Sequence, residues 1–406
     1  MRATTRLIWL FLKDASARLG RQRGGALALG AAALFAAAGL GVLVLEASGS
    51  SGPAADAREK VPLAVPAVLN TRLVCSFANA DARRAQIHGA DGGYSVVVGG
   101  RTFWLFGDTL LLSASGRQIQ QNALAWSGGR GPDGCPSLQY LARGGAATPI
   151  LPKDGSLTDW PSGAWPLDDH TFAFYTVYVY GTGAYDYSIG QIGVARLDTR
   201  SMQTEVLARN LWDAKSGFPG QIIGAWPVEQ GSDGLLRVVL QTKDGDELLA
   251  RVTPASMADA EAYEYWDGDG WSRDRASAHP LWPHASESDP VRQLASFDNG
   301  ASIAYNAYLH QYVAVQNIGF DKIGARVADR LEGPWSAPAV WIDCSAIAAA
   351  AVPVCYSPFQ HPQISSADGR TIFLTFTRQA SYDVVAYEIT LGPATTGDQQ
   401  QRGQER

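Results

Sequence analysis

One short pattern returns five times along the chain: a strand-like run, a turn, then a more hydrophobic strand-like run. It occurs as Tyr94–Val98, Gly99-Gly100 and Arg101–Phe106, then as Gly163–Leu167, Asp168-Asp169 and Thr171–Tyr178. The third copy is Gly224–Val228, Gly231–Gly234 and Leu235–Gln241, and the fourth is Ala301–Tyr305, Leu309-His310 and Tyr312–Gln316. The fifth is Gln363–Ser365, Ala367–Gly369 and Thr371–Thr377. β-Branched and aromatic residues fit a pleated, half-buried surface, while Gly and Asp supply turn geometry. The turns fall about 60–80 residues apart, enough for four antiparallel strands in each unit. Third strands are expected at Ile189–Leu197, Glu247–Val252 and Lys322–Ala328, and fourth strands at Thr204–Ala208, Ala262–Trp266 and Ala339–Ile342. The expected fold is all-β, a five-bladed β-propeller over residues 71–391. Its last blade ends with Tyr382–Thr390 and lacks an outer strand, which Leu73–Phe77 is expected to supply by closing the ring. A pair of β-sandwiches is the competing all-β arrangement, disfavoured by the long intervals and the repeated hairpin.

The first hairpin also carries the chemistry. A two-residue Gly-Gly turn puts Val98 opposite Arg101. Continuing that register places Asp91 opposite Asp108, on one face and with Cβ atoms about 4.5–5.5 Å apart. Like charges so placed destabilise a bare hairpin. A retaining glycosidase uses such a pair, one carboxylate as nucleophile and one carboxylic acid as proton donor, about 5–5.5 Å apart. Mutual repulsion then keeps one of them protonated near neutrality. The plainer alternative has Asp91 turning the chain before Gly92-Gly93 and Asp108 capping the loop at Gly107.

Within a blade, the start of the innermost strand and the end of the second share one rim, so the two aspartates are expected at one mouth of the channel. The corresponding starts on other blades suggest Trp165, Trp226, Asn306 and His361 as substrate-binding residues, the aromatic rings for stacking on sugars. Each has a structural alternative: interblade packing for the tryptophans, a turn for Asn306, a buried hydrogen bond for His361. Glu229 is a lesser acid/base candidate, and Asp168-Asp169 is expected to form the turn at the other rim.

Ahead of the propeller, residues 1–24 form a basic leader and 25–45 an uncharged apolar run long enough to cross a bilayer core of about 30 Å. Residues 1–45 carry Arg2, Arg6, Lys13, Arg18, Arg21 and Arg23 against Asp14, a net of +5 in a chain whose total is −6. Positive charge before the run keeps the N-terminus cytoplasmic and sends the body outside. A single N-terminal transmembrane signal anchor is therefore expected, with a cleaved signal peptide and secretion as the alternative. Residues 46–70 read as a Ser, Gly, Ala and Pro-rich linker and 392–406 as a disordered tail. The acidic body argues against nucleic acid as a partner. Four cysteines outside the cytoplasm permit disulfides, most locally Cys344–Cys355 and Cys75–Cys135. No cysteine or histidine spacing suggests zinc, and no cofactor or metal is expected.

The runs Gly89-Ala90-Asp91-Gly92-Gly93-Tyr94-Ser95 and Trp104-Leu105-Phe106-Gly107-Asp108-Thr109 resemble the start of a bacterial five-bladed propeller family. That family was long labelled a domain of unknown function, and it includes endo-D-arabinanases. The run from Tyr305 to Val315 with Gly333-Pro334-Trp335-Ser336 is similar to its fourth blade, and His361-Pro362 to its fifth. The resemblance spans Ala85 to Thr390, with Ala90 standing where the family pattern has Asp91's position preceded by Gly alone. It implies a retaining hydrolase of D-arabinofuranosyl linkages in a polysaccharide, with Asp91 as nucleophile and Asp108 as acid/base. A non-catalytic carbohydrate-binding propeller and an envelope-interaction propeller are the alternatives.

Overall fold

Gly99 and Gly100 have φ of 55° and 76°, the paired positive values that a tight hairpin turn between twisted strands requires. They join Ile87–Val98 to Arg101–Ser113, the inner two strands of blade I. The computed structural model describes residues 63–113, 116–151, 157–183, 186–212, 221–282, 301–319, 321–347 and 354–393. The expected anchor at 25–45 and leader at 1–24 lie outside these, as do residues 46–62 of the linker and 394–406 of the tail. Among the described residues no helix is long and apolar enough to cross a membrane.

Blade I continues outward through Ala123–Ser127 and Gln139–Tyr140, with Gly116–Gln120 paired to the second strand. Blade II runs Leu157–Pro166, Thr171–Gly183, Asp186–Asp198 and Gln203–Ala208. Blade III runs Ile222–Gln230, Leu236–Thr242 and Glu247–Val252, followed by the short Glu264–Trp266 and Trp271–Ser272. Blade IV is Ser302–Asn306, Gln311–Asn317, Lys322–Ala328 and Ala339–Asp343. Blade V is Cys355–Gln360, Thr371–Arg378 and Asp383–Leu391, completed on its outer edge by Val68–Ser76. Each innermost strand touches the innermost strand of the next blade, and that of blade V touches that of blade I, so the five sheets form a closed ring.

The closing strand begins at Val68, inside the stretch expected to be linker. Blade V departs more clearly from expectation. Its inner strand is Cys355–Gln360, whereas the expected Gln363–Ser365 strand is overlapped by a 3₁₀ turn at Pro362–Ile364. Pro358 hides the strand in the sequence, because proline has no N–H to give a ladder. Here it sits in a bulge between Tyr356 and Phe359, beside Ser357 with φ of 54°. Both expected disulfides form: Cys75–Cys135 ties the closing strand to blade I, and Cys344–Cys355 ties the outer end of blade IV to the start of blade V.

The repeated Gly-Ala-Trp-Pro explains itself at the seam between blades II and III. Gly163 lies against Trp226 Cα, Ala225 O and Pro227, leaving no room for a Cβ. Ser162 Oγ donates to Ala225 O at 3.2 Å. Around the axis, Tyr94 of blade I and Trp226 of blade III share one buried cluster with Phe172 and Phe174, and Ala164 and Phe359 pack against it. Inner strands of four blades thus contribute apolar side chains to one cluster.

Candidate active site

The hairpin of blade I keeps its register from Val98↔Arg101 to Tyr94↔Leu105, then slips to Gly92↔Phe106 and recovers at Ala90↔Thr109. Two compensating bulges produce this. Gly93 is the extra residue on the first strand, and Gly107-Asp108 together oppose Asp91 on the second. Bulges bend a strand and re-aim its side chains. The positive φ of Gly92 (80°) and Gly93 (94°) makes the first possible. At the second, the Asp91 carboxylate lies against Gly107, where a Cβ would collide with Oδ1. The simple face-to-face pairing expected from the turn is therefore replaced by a tighter one. Asp91 folds over the second strand and accepts a hydrogen bond from the Asp108 backbone N–H.

Three further side chains complete the constellation. Asp91 Oδ2 accepts from Tyr356 Oη at 3.2 Å and from Tyr382 Oη at 3.1 Å. Asp108 Oδ1 accepts from Trp160 Nε1 at 2.8 Å. Trp160 lies near the start of blade II's inner strand, Tyr356 at the start of blade V's inner strand, and Tyr382 in the turn after blade V's second strand. All belong to the rim opposite the Gly99-Gly100 turn. Asn122 steadies the blade II strand: its Nδ2 donates to Asp159 O at 3.1 Å while its Oδ1 accepts from the Ile150 N–H at 2.8 Å.

Both aspartates are half-buried, and both carboxyls are pushed upward. Burial, then the neighbouring Asp108 charge, raises Asp91 to about 8, against the pull of the two tyrosine hydroxyls and the Asp108 N–H. Burial raises Asp108 to about 6, opposed by the Trp160 N–H. Between those values the pair carries one proton. A carboxylic acid and a carboxylate side by side can give a proton to a leaving group and offer a nucleophile in one encounter.

The structure brings Asp91 and Asp108 together but does not bring the four suggested sugar-binding residues to them. Trp165 pairs with Ala173 near the Asp168 turn, at the other rim, and packs against the core between blades II and III. Trp226 is buried in the cluster it shares with Phe172 and Phe174, its ring folded over Gly224 of its own strand. Asn306 ends its strand at the hairpin turn: its Nδ2 donates to Gly369 O at 2.8 Å and its Oδ1 accepts from the N–H groups of Tyr308 and Leu309. His361 is fully buried between blades I and V, with Nδ1 2.6 Å from Ser95 Oγ and Nε2 2.8 Å from Thr375 Oγ1. Burial lowers its imidazole to about 3, so it stays neutral. Glu229 also lies toward the turn rim and accepts from Tyr312 Oη at 2.8 Å.

A signal for Trp160 was present in the sequence. It precedes Asp168 by the same number of residues as Asp91 precedes Gly99, so equal counting back from the turns leads to it. Tyr356 was masked by the hidden inner strand of blade V, and Tyr382, expected as the first residue of that blade's last strand, sits in the turn before it. A separate hollow of about 490 Å³, lined by Leu167, Asp168, Arg196, Leu207 and Met257, lies at the turn end of blades II and III. Its charged groups are engaged, Asp168 with the His170 and Thr171 N–H groups and Arg196 with Glu205.

Fold and site define a five-bladed propeller with a half-buried carboxyl pair on one rim. The chain belongs to the family described as a domain of unknown function, DUF4185, which it matches over residues 77–388. No curated protein matches the sequence. Among solved structures, a Bacteroides ovatus protein with a provisional hydrolase name is similar over 76% of this chain and 87% of its own, with a TM-score of 0.55 at 11% identity. That likeness shows the shared fold. An exo-β-1,3-galactanase from Phanerochaete chrysosporium covers 79% of this chain and 64% of its own, with a TM-score of 0.46 at 11% identity. The catalytic domain of an α-L-arabinofuranosidase from Coprinopsis cinerea covers 80% and 98%, with a TM-score of 0.44 at 10% identity.

Proposed function

We propose that this protein is a retaining glycoside hydrolase that cleaves D-arabinofuranosyl linkages within a polysaccharide, with Asp91 and Asp108 as its catalytic carboxyls. The observation that carries the reading is the pair itself, two carboxyls pressed together by paired bulges and raised unequally by burial. The hydrogen bond from the Asp108 N–H brings the Asp91 carboxylate against the backbone of its partner acid, and a retaining displacement calls for carboxyls about 5 Å apart. Burial, which raises Asp91 further than Asp108, favours roles opposite to those expected from the sequence. Asp108, ionised at neutrality, attacks the anomeric carbon and forms a glycosyl ester as Asp91 gives its proton to the leaving oxygen. Asp91, now a carboxylate, takes a proton from water, whose oxygen displaces Asp108 and frees the sugar. The motif resemblance in blades I, IV and V supplies the choice of D-arabinofuranose.

The proposed setting is extracytoplasmic, with the body tethered through an N-terminal signal anchor. Two disulfides are consistent with an oxidising compartment. The decisive experiment is incubation of the full chain with D-arabinan and, separately, L-arabinan, following released oligosaccharides. Asp91→Asn and Asp108→Asn are run beside it, with thermal melts. Products from D-arabinan alone, lost in variants that still melt cooperatively, support the reading. A folded protein that binds the polymer without product release, and binds equally well as Asp91→Asn, points instead to a carbohydrate-binding propeller.

A further inference from the structure

Two different blades grip the carboxyl pair from opposite sides. Blade V sends two hydroxyls, Tyr356 and Tyr382, to a single oxygen of Asp91. Blade II sends one indole N–H, that of Trp160, to a single oxygen of Asp108. The grip of Tyr382 is built into the backbone. Its φ is 49°, a left-handed conformation uncommon for a bulky residue, and such outliers persist where the surroundings over-determine them. Its carbonyl accepts from the Ala90 N–H at 3.0 Å, and Gly89 packs on that carbonyl with no space for a Cβ. The turn that carries the hydroxyl is thus fastened to the strand that carries Asp91.

We infer that Tyr356 and Tyr382 are positioning residues acting through Asp91, and Trp160 one acting through Asp108, so that blades V and II together set which carboxyl holds the site's proton. The inference rests on the hydrolase reading for its consequence in turnover; the proton distribution itself is a property of the folded protein. The titratable groups facing Asp91 are Asp108 from its own blade and the two tyrosines from blade V. Trp160 faces Asp108 from blade II.

Two coupled acids titrate in two macroscopic steps. A donor to a carboxylate favours its charged form, so removing the donor raises the step in which that charge first appears. In the proposed mechanism Asp108 is the acid that ionises first, so its charge is present in both the monoanion and the dianion. Losing the Trp160 N–H therefore raises the lower step and leaves the upper one in place. Asp91 is charged only in the dianion. Losing a tyrosine hydroxyl therefore raises the upper step and leaves the lower one in place. Neither pattern arises from general loosening of the fold, which would move both steps.

The test is carbon-detected NMR of the full chain labelled at the aspartate side-chain carboxyl, with Asp91→Asn and Asp108→Asn identifying the two signals. Tyr356→Phe and Tyr382→Phe keep the ring volume and are each expected to raise the upper step by about half to one pH unit. Trp160→Phe is expected to raise the lower step by a similar amount. The alkaline and acid limbs of the pH–rate profile on D-arabinan should move correspondingly. Tyrosine variants that fold but leave the upper step unmoved, or move the lower one, overturn the inference even if the enzyme is active. Shifted steps in a protein silent on every arabinan would uphold the inference while the substrate reading fails.

Discussion

Asp91 and Asp108 make the folded protein hold protons that the unfolded chain releases. Their ordinary value is 3.8, and burial lifts them to about 8 and about 6. The folded state thus binds more protons between pH 4 and 8, and stability falls as pH rises through that window. Asp91→Asn removes the largest contributor. Melting curves should show the variant gaining on the wild type from pH 5 to pH 8, while turnover drops roughly 100- to 10,000-fold. His361 runs the other way. Its value is lowered from 6.5 to about 3, so the unfolded state binds the extra proton and stability falls as pH drops below 6.5. His361→Ala also leaves a cavity and two hydroxyls, those of Ser95 and Thr375, short of a partner. A cost of about 2–4 kcal/mol is expected. A large fall in melting temperature with KM unchanged would mark it as architecture.

At the level of strands, the working part of the site is a pair of bulges, and glycine makes both. Gly107→Ala drives a methyl group into the Asp91 carboxylate. Activity should fall at least about tenfold because the reacting group is displaced, an effect out of proportion to the modest loss of stability. Gly163→Ala should do the reverse. It overpacks the seam between blades II and III and costs about 1–3 kcal/mol, read as a lower denaturant midpoint, while the pH–rate profile keeps its shape. These strands also show how far the sequence could be read. Gly99-Gly100 fixed a register that held to Tyr94↔Leu105, and alternating apolar residues placed the inner hairpins of blades I to IV. Counting could not reveal the slip at Gly93, since an extra residue in a strand changes no residue type. Nor could composition separate Trp160 from Trp165: both are tryptophans on one strand, and only distance from the turn assigns them to different rims. Pro358 broke the pattern of the strand that brings Tyr356.

Across the whole molecule, the two disulfides close loops of very different length. Cys75–Cys135 spans 60 residues and Cys344–Cys355 spans 11. Chain entropy alone makes them worth about 4 and about 3 kcal/mol. Replacing the first pair by serine should therefore lower the denaturant midpoint more. Replacing the second should act more on turnover, because Cys355 adjoins Tyr356. The order of the blades along the chain carries a last implication. Asp91 lies 265 residues before Tyr356 and 291 before Tyr382. A ribosome therefore completes both acids long before the hydroxyls that hold one of them, and the seam between blades V and I shuts only after Asp383–Leu391 has emerged to pair with Val68–Ser76. A nascent propeller carries its acids ungripped. Under the proposed mechanism, chemistry waits for the last blade to dock, and closing the ring is then also the step that arms the molecule.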